Sequence, residues 1–309
     1  MTKATCLIVI FNHRYDKNLK RIKELYQDRF DDIYVLMPFY DGEQLDGLNI
    51  IPVYDSSFQF NGYIAQAFFH INKVCSYTHY VVIGDDLIIN PALNQNNIAE
   101  KMGLDKSTSY IKNLTVLGRA PGITSQRLYQ EVLSPFIFYN GTEWKKLIYS
   151  PEEAFSLVND YNPKLSVKWM LKYLVKGNAH IKIKHILQRI LYLFPCLVIT
   201  CRKGLPYPLY KDYCDFLVLS GKDIEKIVHY FGVFAAMQIF VEVAIPTAMK
   251  LVCKTIKTEA DIPYHGIEYW TEKDISSFYN IYDGSLNKLF VNWDSDVLYY
   301  HPIKLSKWT

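Results

Sequence analysis

The segment His79-Tyr80-Val81-Val82-Ile83-Gly84-Asp85-Asp86-Leu87-Ile88-Ile89-Asn90-Pro91 runs an apolar strand straight into a pair of acids. Val81–Ile83 is β-branched and free of polar residues, the pattern of a strand covered on both faces. It stops at Gly84 and two adjacent carboxylates. Acids side by side at the end of a central strand repel each other and are costly to desolvate, so they need a cation or many hydrogen bonds. Open α/β sheets bind ligands at the carboxyl ends of their strands. A divalent metal carrying a phosphorylated substrate fits these residues best. The other reading is a tight Gly-Asp-Asp turn with both acids in water, because turns favour these residue types for local reasons.

Outward from this segment, strand and helix signals alternate. Cys6–Phe11 is an apolar run, followed over Asp16–Phe30 by Leu19, Ile22, Leu25 and Tyr26 at helical spacing. Asp32–Phe39 and Ile50–Tyr54 read as further strands, and Gly62–Tyr77 as a helix leading into His79–Ile83. Strands separated by helices of ten to fifteen residues imply βαβ units and a mostly parallel sheet, an α/β fold. Neither a Walker loop nor G-x-G-x-x-G follows the first strand, which argues against P-loop and dinucleotide-binding enzymes. Residues 90–160 are irregular, with turn signals at Ala120-Pro121-Gly122 and Asn140-Gly141.

At 309 residues, half of them hydrophobic, the chain has material for a large core. Its six cysteines show no C-x-x-C spacing, which suits a reducing cytosol rather than a disulfide or zinc framework. Cys6–Phe11 is too short for the core of a signal peptide, so a cytoplasmic location is expected. The net charge of +3 conceals an asymmetry: Tyr161 to Lys211 holds ten Lys and Arg and no acid. Lys164, Lys168, Lys172 and Lys176 recur every fourth residue, with Trp169 among them. In Ile183–Phe194, the expected inward residues are Ile183, Ile186, Leu187, Ile190, Leu191 and Phe194. A basic amphipathic pair of helices suits the surface of an anionic membrane; the alternative is a solvated hairpin packed on the core. Nothing resembles a nucleic-acid module, and no nucleic acid partner is expected.

Asp215–Leu219 returns as a strand, Lys222–Phe231 as a helix and Val233–Lys250 as a second, strongly apolar helix. On that helix Gln238 and Glu242 are expected one turn apart on the same face. A carboxylate in such surroundings has a raised pKa unless it is paired, which makes Glu242 either a candidate general base or a buried structural acid bonded to a lysine or a backbone donor.

Taken together, these features resemble the nucleotide-sugar-dependent glycosyltransferases of the GT-A fold, particularly the bacterial enzymes that build surface polysaccharides. The resemblance covers about residues 4–91 and 205–306. It implies a Rossmann-like, mostly parallel sheet flanked by helices, divided into a nucleotide-sugar-binding half (1–160), a basic helical insertion (161–204) and an acceptor-binding half with a metal and diphosphate segment (205–309). Phe11, Asn12 and His13 stand where this class contacts nucleobase and ribose. Gly84-Asp85-Asp86 stands where it carries its metal-binding D-x-D, although the acids here are adjacent. Asp86 is therefore the expected ligand and Asp85 the partner of the ribose or of a metal-bound water. Tyr300-His301-Pro302-Ile303-Lys304-Leu305-Ser306 looks like the terminal segment whose His completes the metal site and whose Lys touches the diphosphate. His301 also has a plain reading as surface or core. Asp215, Gln238 and Glu242 are expected at the acceptor, Glu242 as catalytic base.

The resemblance thus implies Mn²⁺ or Mg²⁺, a nucleoside-diphosphate sugar (a UDP-sugar) as donor, and a glycan acceptor on a lipid carrier at the inner face of the cytoplasmic membrane. Three other classes compete. A sugar nucleotidyltransferase needs a Gly-rich basic loop where Phe11-Asn12-His13-Arg14 stands. A metal-dependent hydrolase needs more clustered acids and histidines. A non-catalytic membrane scaffold leaves Asp86, Glu242 and His301 unexplained.

Overall fold

A computed structural model of the chain describes residues 2–119, 123, 127–138, 143–158, 165–168 and 183–309. Its strands are β1 (Thr2–Ile10), β2 (Ile33–Pro38), β3 (Asn49–Val53), β4 (Ser76–Gly84), β5 (Ile88–Ile89) and β6 (Thr108–Ile111). They continue with β7 (Thr115–Val116), β8 (Tyr210–Lys211), β9 (Phe216–Ser220), β10 (Thr255–Lys257), β11 (His265–Glu268) and β12 (Val297–His301). The longer helices are α1 (Leu19–Tyr26), α2 (Phe60–Val74), α3 (Ile183–Lys203), α4 (Ile224–Ala236), α5 (Val241–Val252) and α6 (Glu272–Ile281).

The central sheet has seven strands in the order β10-β6-β9-β4-β1-β2-β3, flanked by helices. All its pairings are parallel except those of β9, which runs antiparallel to both β4 and β6. This is the mixed α/β architecture expected from the alternating pattern. Both faces are covered because successive residues point to opposite sides. From β1, Cys6, Ile8 and Ile10 join one apolar cluster with α2, α4 and α5, while Leu7, Val9 and, one residue past the strand, Phe11 join another with α1, α6 and β12. Gly62 lets α2 come close to α4: a Cβ there would lie 2.8 Å from that of Ala235.

A smaller sheet, β11-β12-β5, caps the carboxyl end of β4. Its β12 pairs antiparallel with β5, Tyr300 opposite Ile88. The terminal segment therefore crosses the Gly84–Leu87 turn.

Several boundaries differ from the sequence expectation. The helix expected over Gly62–Tyr77 ends at Val74, and Tyr77 already belongs to β4. The helix expected over Val233–Lys250 is broken: Val233–Ala236 completes α4, Gln238 adopts φ 57°, and α5 begins at Val241. Gln238 and Glu242 therefore do not share a helix.

Lys164, Trp169, Lys172, Lys176 and the turn signals at Ala120-Pro121-Gly122 and Asn140-Gly141 lie outside the described residues. The helix of Ile183–Phe194 continues through Pro195 to Lys203, and its orientation corrects the expectation. Leu193, Cys196, Leu197 and Thr200 face the core, whereas Leu187, Ile190, Leu191 and Phe194, expected inward, face out. The helix carries two apolar stripes, and the second packs with Leu128, Val132 and Leu133.

Candidate active site

The two acids after β4 occupy different surroundings. Asp85 is buried beside the end of β1, its N–H donating to the Ile10 carbonyl at 2.9 Å. Burial pushes its carboxyl up to about 6, helped by the charge of Asp86; the Asn12 N–H, His13 and the Asn18 amide pull the other way. Asp85 therefore faces the loop that leaves β1, where donor contacts are expected. In that loop Asn12 and His13 are exposed. The Phe11 ring, expected at the donor, is fully buried in the core.

Asp86 meets His301. The pairing of β12 with β5 brings the terminal segment over the acid, and the Ile303 N–H donates to the Asp86 carbonyl at 2.6 Å. His301 Nε2 lies 3.3 Å from Asp86 Oδ1. Burial pushes the imidazole pKa down, but the hydrogen bond to Asp86 and the charges of Asp215, Asp86 and Glu268 outweigh it and raise it to about 9. The other ring nitrogen, Nδ1, is buried without a hydrogen-bond partner.

An octahedral ion with bonds near 2.1 Å places neighbouring ligands about 3 Å apart, so Asp86 and His301 are spaced to share one. Among the described residues no group of three or more His, Cys, Asp or Glu side chains is arranged to hold an ion alone. If an ion bound here, the pair would supply two ligands and the rest would come from water and phosphate oxygens, a common division for Mg²⁺.

Across from these groups is a cleft of about 420 Å³, lined by Asn12, His13, Arg127, Asp215, Phe240 and Glu242 among others. The cleft brings one expected donor loop to two expected acceptor residues. Asp215 precedes β9, and its carbonyl accepts the Gly84 N–H at 3.1 Å, which places it next to the acids. Burial pushes its carboxyl up to about 6; His301 lowers it, while Asp86, Glu242 and Glu268 add to the rise.

Glu242, in the first turn of α5, is paired with Lys211 of β8, Nζ to Oε2 at 3.1 Å. Lys211 is itself only 7% exposed and lies over the Tyr213 ring at 5.1 Å. Glu242 thus has the lysine partner that one of its two sequence readings calls for. Gln238 is exposed in the joint between α4 and α5, its amide donating to the Ala235 carbonyl at 3.0 Å. Lys304 is exposed and lines a different groove, against Glu272, Ser276 and Tyr279 of α6.

Other residues at the site have no local signature. Arg127 lies over the rings of Phe58 (4.4 Å) and Phe240 (4.0 Å) and pairs with Glu131. Lys112 pairs with Glu268 at 2.8 Å, and Tyr299 donates to the same carboxylate. Tyr213 packs on the exposed Trp270, whose ring neighbours His301, whereas Tyr207 and Tyr210 are core residues.

No family model matches the chain, and no curated protein matches it in sequence. Among solved structures it is similar to mouse xyloside xylosyltransferase 1 in its apo form, with a TM-score of 0.36 and 9% identity over 96% of this chain and 97% of that one. At that level of likeness, function has to be argued from the residues of the site itself.

Proposed function

We propose that this chain is a glycosyltransferase that moves a sugar from a nucleoside-diphosphate donor, a UDP-sugar, to a glycan hydroxyl, with Mn²⁺ or Mg²⁺ held by Asp86 and His301. The observation that supports it most directly is the 3.3 Å pair of Asp86 and His301 at the end of β4, set among further acids and beside the cleft that Glu242 lines. Carboxylates in excess of nearby positive charge are the setting in which a cation stabilises most. The bound ion would neutralise charge developing on the leaving diphosphate.

The chain's own residues do the rest. Asp85, aimed at the loop of Asn12 and His13, accepts ribose hydroxyls. Glu242 keeps Oε2 on Lys211 and turns Oε1 to the acceptor hydroxyl. As the bond from sugar to diphosphate breaks and the acceptor oxygen bonds to the anomeric carbon, Glu242 takes the hydroxyl proton in an inverting displacement. In a retaining one it orients the hydroxyl. Asp215, on the same wall, holds a second acceptor hydroxyl. A glycan on a lipid carrier, as in surface-polysaccharide assembly, is the acceptor we favour.

The test is release of nucleoside diphosphate from a panel of nucleotide sugars, with and without Mn²⁺, alongside calorimetry of nucleoside-diphosphate binding. Metal-dependent binding and turnover are expected. Absence of both across the panel overturns the proposal.

A further inference from the structure

Among the described side chains on the outward face of α3, four are large and apolar. Leu187, Ile190, Leu191 and Phe194 are 56%, 43%, 70% and 46% exposed. Their spacing of i, i+3, i+4 and i+7 puts them on one stripe, opposite the stripe that packs on the core. An exposed row of large apolar side chains on a helix is a binding surface or a liability. Its chemical surroundings select the occupant. From Tyr161 to Lys211 the sequence holds ten Lys and Arg and no acid. Lys168, Arg202 and Lys203 are described and exposed. An apolar stripe accompanied by the exposed cations of Lys168, Arg202 and Lys203, in a stretch of sequence without an acid, matches the acyl boundary and anionic headgroups of a lipid surface. No helix of the described residues is long and apolar enough to cross a membrane, so a docked α3 would lie along the surface rather than span it.

We propose that α3 docks on an anionic bilayer, Leu187, Ile190, Leu191 and Phe194 entering the headgroup–acyl boundary and the basic residues contacting headgroups. The inner face of α3 packs on the segment Leu128–Leu133, which directly follows Arg127 in the cleft wall. The lipid surface and the cleft are thus one element apart, the placement an acceptor carried on lipid requires. That last step rests on the glycosyl-transfer reading; the docking does not.

The experiment is flotation of the full chain with vesicles of phosphatidylcholine alone or with about a third phosphatidylglycerol, at low and high salt. Wild type floats with the anionic vesicles and dissociates at high salt. The double variant Leu191→Ser/Phe194→Ser and the triple variant Lys168→Gln/Arg202→Gln/Lys203→Gln each lose roughly tenfold or more in partitioning. These side chains are exposed, so unchanged thermal melting identifies a variant that has kept its fold. As a second readout, an environment-sensitive dye on Leu191→Cys shifts to the blue with anionic vesicles. Equal flotation of wild type and both variants, or none for any, overturns the docking. So does a dimer seen by light scattering and lost in the serine variant, which would assign the stripe to a second copy of the chain. Turnover of nucleotide sugars onto a soluble acceptor is measured on the same samples. Turnover without flotation removes the docking alone, and flotation without turnover removes the transfer reaction alone.

Discussion

Two charged pairs lie within electrostatic reach of Asp215, and they differ in what they leave unbalanced. Lys211 and Glu242 are a lysine and an acid at 3.1 Å, 7% and 22% exposed, a nearly self-sufficient pair. Asp86 and His301 are an acid and a titratable imidazole at 3.3 Å, and Asp85, Asp215 and Glu268 stand nearby. Burial chiefly, with neighbouring carboxylates adding to it, raises Asp85 and Asp215 to about 6. The balanced pair can hold an orientation through a reaction. The unbalanced one is suited to receiving a cation and a substrate.

The harshest way to break this contrast is Asp86→Asn, which removes an anionic ligand from the deficient side. Transfer should fall below detection, by roughly 10³-fold or more, while the fold survives. Calorimetry should show Mn²⁺-dependent nucleoside-diphosphate binding gone, and His301→Ala should weaken the same step more mildly. Normal metal-dependent binding by the Asn variant would remove Asp86 from the metal site.

On the balanced side, Glu242→Gln should cost roughly 10²–10⁴-fold in turnover with donor binding retained. It also strands a buried ammonium, so unfolding by denaturant should come earlier by about 2 kcal/mol. Adding Lys211→Met should restore much of that stability and none of the activity. If the double variant recovers turnover as well, Glu242 is structural only.

How far the balance extends around Lys211 is tested by its neighbour Asp212. Burial pushes this carboxyl up to about 7, against hydrogen bonds from the Asn113 and Tyr213 N–H groups and the charge of Lys112. Its folded pKa lies above its unfolded value near 4, so the folded state binds the proton more tightly. The stability it contributes is complete below about pH 4 and is lost as pH rises through about 7. Asp212→Asn should therefore raise stability at pH 8 by roughly 2–4 kcal/mol and change little at pH 4. A gain of the same size at both pH values would contradict this.

The smallest effect is expected at Lys304, which touches neither pair. Lys304→Ala should alter the donor KM by less than about threefold, since an exposed lysine on another groove contributes little. A loss of tenfold would mean that the terminal segment moves to reach the diphosphate.

Where local pattern determines structure, the sequence was legible. The apolar runs around Val9, Val35, Ile50 and Val82 all became sheet strands, and the alternation implied a mostly parallel order. The reversed direction of β9 and the joining of β6 and β10 to the sheet were not legible, because pairing between distant strands leaves no periodicity. On α3 the sequence carries two apolar stripes and its pattern does not tell which one packs, so Leu187 is expected inward while Leu193 is the buried one. The Gly84-Asp85-Asp86 turn and His301 could be singled out as sequence positions, but their meeting depends on β12 pairing with β5. Phe11 shows the converse: one residue beyond β1 it still alternates with the strand, so its ring went into the core. Lys211 and Glu268 carry no local mark, since each pairs with a residue far along the chain; Arg127 has a local partner in Glu131, but its stacking on Phe58 and Phe240 is long-range.

The reversed strand has a consequence for how such a molecule can diversify. Because β9 enters the sheet from the opposite direction, the rim beside Gly84 is reached by the chain before that strand rather than after it. One margin of the cleft is thus written in a stretch, Leu205 to Asp215, separate in the gene from the loops that follow β1 and β4. On the proposed glycosyl-transfer reading, insertions or exchanges there would change what is accepted while the donor loops are inherited unaltered, so the two specificities would be free to evolve at different rates.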